Sequence, residues 1–299
     1  MQVTRRLNHL GVLVTVVAAI LGSTHLQKLQ MTVSEGATQR VAFSDNDAAV
    51  EPGFAIELHG TPRRFASDIS VYPEEGPSVR ATVEVNHPLK VGDWYIYQYG
   101  SDILLLVKDP WLPAVYVGII LMMAGALAVL VTRIRGKKQY LLSLGVLLLA
   151  GLFTYFFTPV FKTRSMAPAL QSPWFIPHVV VYMIAYAVLA VATVAAFWPR
   201  KELELTDQLV YAGAALLTIG MLLGAIWAKQ AWGHYWTWDP KETWAAVTWL
   251  CYWLYLHLRK FRPRSGTLAR WILVLAFLCL QMCWWGVKFL PGSSLHVYN

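Results

Sequence analysis

Seven apolar runs constrain this chain before anything else does. They lie near 8–25, 112–132, 140–157, 178–198, 208–228, 243–258 and 271–290, and each comes close to the roughly 20 residues that cross about 30 Å of hydrocarbon. Backbone N–H and C=O groups in hydrocarbon must be satisfied within the protein, so runs of this length fold as helices. Only 14% of residues are charged, 57% are hydrophobic and the mean hydropathy is +0.46, against about 25% charged in a soluble domain. The expected fold is an α-helical integral membrane protein of about seven transmembrane helices, with a small β-rich extracytoplasmic domain after the first.

The net charge of +8 does not indicate nucleic acid, which calls for a basic face on a soluble module. Leu26 to Pro110 holds 7 basic and 12 acidic residues, leaving 18 basic and 5 acidic for the membrane part. An amino terminus in the cytoplasm puts thirteen of those 18 in short inner segments: Arg5, Arg6, Arg133, Arg135, Lys137, Lys138, Arg200, Lys201, Arg259, Lys260, Arg262, Arg264 and Arg270. The positive-inside bias then sets the carboxyl terminus and the polar segment outside. Leu21 to His25 offers no small-x-small cleavage site, so the first run reads as an uncleaved anchor. The expected organisation is an anchor at 1–25, a β-rich domain at 26–110, a helix and cytoplasmic linker at 111–139, and a membrane domain at 140–299.

Within 26–110, strand-like alternation is visible at 54–58, 78–85, 93–98 and 103–107, with Pro and Gly between. So small a domain without cysteine has a marginal core by itself and is expected to lean on the membrane part or a partner chain. Cys251, Cys279 and Cys283 all fall in apolar runs; the spacing of the last two suits helix packing. There is no CxxC or CxxCH, hence no thioredoxin-like pair and no covalently held c-type haem of the chain's own.

Six of fourteen tryptophans fall between Trp227 and Trp249, where an even spread gives about one. The run Trp232-Gly-His-Tyr-Trp236-Thr-Trp238-Asp239-Pro240-Lys241-Glu242-Thr243-Trp244 lies outside, between the fifth and sixth spans. An interfacial belt explains some of these rings; their density suggests a flat platform for a planar ligand. Asp239, Pro240 and Glu242 also read as the N-cap, N1 and N3 of the sixth helix. That helix end, with Lys241, suits an anionic group such as a haem propionate.

An ionisable residue in or bordering a span is a functional hypothesis by default. His178 opens the fourth span and His296 follows the seventh, so both lie level with the Trp-rich loop. His257, near Arg259, and His9, near Arg6, share a depth on the inner side. A lone histidine at a helix end is more often structural than a ligand. Two depth-matched pairs favour bis-imidazole ligation of haem iron, with no third or fourth ligand by sequence to favour zinc. His25, His59, His87 and His234 read as surface or locally hydrogen-bonded residues, and no side chain reads as a catalytic acid or base.

Trp232-Gly-x-x-Trp-x-Trp-Asp-Pro-Lys-Glu-Thr-Trp244, followed by Leu254-Tyr-Leu-His257, resembles the tryptophan-rich signature of the CcsA/ResC haem-handling proteins of cytochrome c biogenesis. Pro177-His178 and Leu295-His296-Val-Tyr298 resemble their flanking histidines, and the resemblance covers roughly 140–299. Val85–Lys90, Tyr95–Gln98 and Val107–Pro113 are similar to the end of the ResB/CcsB partner, so the chain resembles a shortened ResB-type part joined to a CcsA-type part. The resemblance implies a bacterial cytoplasmic membrane protein that carries haem b to the outer face and presents it to a CxxCH apocytochrome c. It further implies a holocytochrome c synthase, alone or with a ResB/CcsB-like partner, served by thiol-reducing proteins. By the same resemblance His178 and His296 ligate outer haem against Trp232, Trp236, Trp238 and Asp239. His257 ligates inner haem, with His9 its partner by depth. A haem exporter without ligation and a diheme b-type electron carrier are the alternatives.

Overall fold

The computed structural model describes residues 2–61, 63–133, 167–198 and 203–290. Among these residues six long helices belong to the membrane part: α1 (Gln2–Ser23), α2 (Leu112–Arg133), α3 (Phe175–Ala195), α4 (Glu204–Trp232), α5 (Pro240–Phe261) and α6 (Gly266–Trp284). Five of them, all but α5, are long and apolar enough to cross a membrane. The expected count of about seven is therefore met in five. The run at 140–157 lies outside the described residues, and that at 243–258 folds as α5, whose 22 residues include Lys241, Glu242, His257, Arg259 and Lys260. α5 is held by its neighbours more than by lipid: it packs closely on α6 and also meets α4.

α4 is the central post, packing against α3, α2 and α5, while α1 pairs with α2. At 29 residues it is about 43 Å long, more than the hydrocarbon needs. Both ends are marked chemically. Glu204 and Asp207 lie in its first turn and Lys229 in its last, as the helix dipole favours. Gly233 then stops it with φ +80°, donating its N–H to the Lys229 carbonyl at 3.1 Å. The left-handed conformation there favours glycine. A side chain would also collide with the β domain, since a Cβ on Gly233 would lie 3.1 Å from Val107 and 3.2 Å from Tyr97.

Residues 27–108 form two antiparallel sheets. One has six strands in the order β4 (Ala49–Val50), β3 (Ala42–Ser44), β1 (Gln27–Thr32), β10 (Ile103–Lys108), β9 (Trp94–Gln98) and β8 (Leu89–Val91). The other has four: β2 (Thr38–Gln39), β5 (Phe54–His59), β6 (Ala66–Pro73) and β7 (Val79–Glu84). Their inner faces share one core that includes Leu29, Met31, Ile56, Ile69, Ile96 and Leu104, so the domain is a sandwich with a real interior. The four expected strands form as β5, β7, β9 and β10; β6 escapes sequence reading because Ser67 and Ser70 occupy buried positions, and β1 because its alternation rests on only two apolar residues, Leu29 and Met31. β10 explains how the sandwich attaches. Its run Leu104-Leu-Leu-Val107 is buried throughout, as a strand covered on both faces must be. Leu104 and Leu106 enter the sandwich core, whereas Leu105 and Val107 join Tyr97 in a second cluster with Leu26, on the side where Gly233 abuts the sheet.

Candidate functional site

The β-domain end of the bundle holds a cleft of about 240 Å³ between α3, α4, α5, α6 and the 233–239 loop, a little below the roughly 300–1,000 Å³ typical of enclosed cofactor sites. His178, Tyr182, Trp227, Tyr235, Trp236 and Trp284 give its walls their aromatic character. His178 is set by α4. Its Nδ1 lies 2.7 Å from the Gly220 carbonyl. A carbonyl only accepts, so in the neutral ring the proton sits on Nδ1 and Nε2 carries the lone pair. Gly224 makes the room: a Cβ there would stand 2.6 Å from the His178 Cε1. Tyr182 and Trp227 flank the imidazole, with ring centroids 4.9 and 6.0 Å away.

The loop is held by the reciprocal cap anticipated for α5. Asp239 (φ −60°, ψ 161°) accepts the Glu242 N–H at 2.7 Å. The buried Glu242 carboxylate reaches back to the Thr237 N–H at 2.7 Å and its hydroxyl at 3.1 Å. These bonds hold Trp238 at φ +60°, a conformation rare for a bulky residue and characteristic of constrained functional loops. They also occupy donors that a bare helix end would offer an anion. Within the cleft, Lys241 and the Trp236 Nε1–H are donors suited to a negative group, beside the hydroxyls of Tyr182 and Tyr235. Lys241 lines the wall, and the Trp236 donor is buried without a hydrogen-bond partner among the described residues.

The four residues expected to line this site therefore divide. Trp236 is in the wall. Trp232 stands behind it, its ring tilted at 57° against Trp227 with centroids 4.8 Å apart; Trp238 is 70% exposed at 5.7 Å from Trp236; and Asp239 serves the cap. His296 lies outside the described residues. Tyr182, Trp227 and Trp284 were hidden in apolar spans, although Tyr182 follows His178 by one helical turn.

His234 is not a surface residue as expected. Its ring stacks on Trp232 at 6.3 Å and 29°, and Nδ1 is buried with no hydrogen-bond partner among the described residues. Burial, with Lys28 and Lys229 nearby, lowers its pKa to about 4, so it is neutral at physiological pH. Beside it, Lys229 donates to the Gly233 carbonyl at 3.0 Å and pairs with Asp109 at 3.8 Å. The two side chains are 4% and 5% exposed. Asp109 also accepts the Trp111 N–H at the start of α2, at 3.1 Å. A buried ion pair thus ties the end of β10 to the Trp-rich loop. His59 is locally bonded, to Ser70 at 2.7 Å, as is His25, to the Leu21 carbonyl at 2.9 Å.

At the far end of the bundle His9 on α1 and His257 on α5 face one another, ring centroids 6.1 Å apart and planes at 69°. His257 Nδ1 lies 2.7 Å from the Trp253 carbonyl, which again leaves Nε2 as the lone-pair nitrogen. The rotation of α5 is fixed next door. Arg259 grips Asp207 of α4 through Nε and Nη2 at 2.9 Å, and Tyr255 donates to the same carboxylate at 2.7 Å.

Two family models divide the chain where the fold does. One described as "Cytochrome C assembly protein" matches residues 112–295. The chain belongs to that family. A ResB-like family model matches residues 3–104, which takes in α1 and nearly all of the sandwich. Relatives named cytochrome c biogenesis protein CcsA include one from Guillardia theta, 35% identical over 175 residues, 46% of this chain and 58% of the relative. Another, from Chlamydomonas reinhardtii, is 38% identical over 156 residues, 46% and 44% of the two chains. A third, from Synechococcus sp. (strain RCC307), is 35% identical over 181 residues, 46% and 58%. The chain thus spans about half the length of the curated relatives it matches.

Proposed function

We propose that this chain binds haem at two levels of a bacterial cytoplasmic membrane and presents it at the outer face for thioether attachment to a CxxCH apocytochrome c. The observation that carries this reading is the His9–His257 juxtaposition. Two imidazoles that share one metal at about 2 Å each put their ring centroids roughly 6 Å apart, close to the 6.1 Å of this pair. The fixed tautomer of His257 offers the ligating nitrogen. His178, with its own tautomer fixed by Gly220, opens onto the aromatic cleft at the other end and serves as an axial ligand there, His296 being the proposed second.

Haem b is the proposed cargo because it carries the vinyl groups that the chemistry uses. In each attachment a cysteine S–H adds across a vinyl C=C: sulfur bonds to one carbon, hydrogen to the other, and no oxidant is consumed. The protein's task is to hold the iron, cover the macrocycle with indole rings and leave the vinyl edge reachable. Lys241 and the Trp236 Nε1–H suit the propionates. The abundance of Lys and Arg in the short loops remote from the β domain supports an outer position for that domain and the cleft. A ResB/CcsB-like chain is the proposed membrane partner, and thiol-reducing proteins keep the acceptor cysteines reduced. The enzyme assignment is holocytochrome c synthase, alone or with that partner.

The test is haem content and absorption spectrum of the detergent-purified chain. His9→Ala and His257→Ala should remove one haem species and His178→Ala another; unchanged occupancy in all three overturns the reading. Production of c-type cytochrome without a separate haem chaperone distinguishes ligation from export alone.

A further inference from the structure

The face of α5 between the two proposed haem sites is aromatic from end to end. Glu242 and Ala245 line the cleft, and the next positions on that face, each one turn on, are Trp249, Trp253 and His257. The rings follow one another closely, with Trp249 and Trp253 centroids 6.0 Å apart and Trp253 and His257 6.2 Å apart. Trp249 and Tyr235, the latter in the cleft wall, both pack against one apolar cluster that includes Met122 and Leu222. The face is turned toward the α1–α2 hairpin, from which His9 reaches His257.

The two indoles differ in their donors. Trp249 donates Nε1–H to the Thr218 hydroxyl at 2.8 Å, whereas the Trp253 Nε1–H is buried with no partner among the described residues. A buried donor left unpaired within a membrane is costly and needs a reason. Trp253 sits beside the His9–His257 pair, where a carboxylate-bearing planar ligand would supply both an acceptor for that N–H and a face for the ring.

We infer that Trp253 and Trp249 form an intermediate binding track for porphyrin, on which haem released from the His9–His257 pair passes to the His178 cleft. The inference rests on the two-site reading above and adds the path between the sites. Each indole offers stacking area without an iron ligand, so the cargo is held loosely enough to move on. A propionate accepts the Trp253 N–H as the macrocycle leaves His257.

The experiment compares the full chain purified from haem-replete cells as wild type, Trp249→Leu/Trp253→Leu and Trp249→Phe/Trp253→Phe. Haem at each level is assigned from the spectra lost in His257→Ala and His178→Ala. The Leu variant should keep the His9–His257 haem while occupancy of the His178 site falls by about tenfold, the size expected from losing two aromatic contacts. Haemin added from outside to the Leu variant in nanodiscs should refill that site, which shows it intact but unsupplied. The Phe variant should retain most of the occupancy. Normal filling of the His178 site in the Leu variant, or a loss that added haemin does not repair, overturns the track. Neither result touches the two-site reading, which falls instead if His9→Ala, His257→Ala and His178→Ala all leave the spectra unchanged.

Discussion

His178 is positioned by two glycines, through the carbonyl of Gly220 and the vacant Cβ position of Gly224. Gly224→Val should therefore imitate His178→Ala, losing the haem of the β-domain end while leaving the other spectrum intact; paired spectra of the two variants check this. His234 gives a pH prediction. Its folded pKa, near 4, lies below the ordinary 6.5, so between those values the unfolded chain binds the extra proton. Its neutral burial is without penalty above about pH 6.5, and stability falls as pH drops from there toward 4, by up to about 3 kcal/mol. Thermal unfolding from pH 7.5 to 5 should show this loss in the wild type and a flatter profile in His234→Gln. The sequence marked His178 by its place after Pro177 at the mouth of a span. It carried no mark for His234, whose burial comes from the β sandwich closing over the loop.

The decisive element is α5. It is too polar to count as a candidate span, and its two ends are fixed by different chemistry. At the cleft end Asp239 and Glu242 cap it and brace Thr237; Asp239→Ala should cost about 1 kcal/mol, seen as a lower melting temperature together with altered tryptophan emission. At the far end the Asp207–Arg259 pair sets its rotation, so Asp207→Ala should turn His257 away from His9 and broaden or abolish that haem spectrum. Helix start and end signals made α5 legible from sequence, because capping is a local code. Its partners were not legible, since the α4 carboxylate that holds Arg259 is remote in the chain.

On the scale of the molecule, the chain is two family segments joined by a buried salt bridge. The Lys229–Asp109 pair connects the loop after α4 to the strand that feeds α2. Removing one partner strands a buried charge at a cost of about 3–5 kcal/mol, whereas an apolar pair of similar volume is tolerated. Asp109→Ala should thus loosen the sandwich from the bundle, with proteolysis between Lys108 and Leu112. The double variant Asp109→Leu/Lys229→Met should restore resistance. Limited proteolysis in nanodiscs reads both.

The apolar spans, four of the strands, the cap of α5 and the types of side chain available to hold a metal are all legible from the order of residues alone. All of these follow from periodicity and local hydrogen bonding within a few residues. Three-dimensional packing was needed to bring His9 to 6.1 Å from His257, to put Trp236 rather than Trp232 or Trp238 in the cleft wall, and to rest the sandwich against the Trp-rich loop. The physical reason is that each of these depends on how helices rotate and cross. Close-packed side chains from distant segments, a glycine notch for an imidazole and a buried ion pair fix that geometry, and no local stretch of chain contains it.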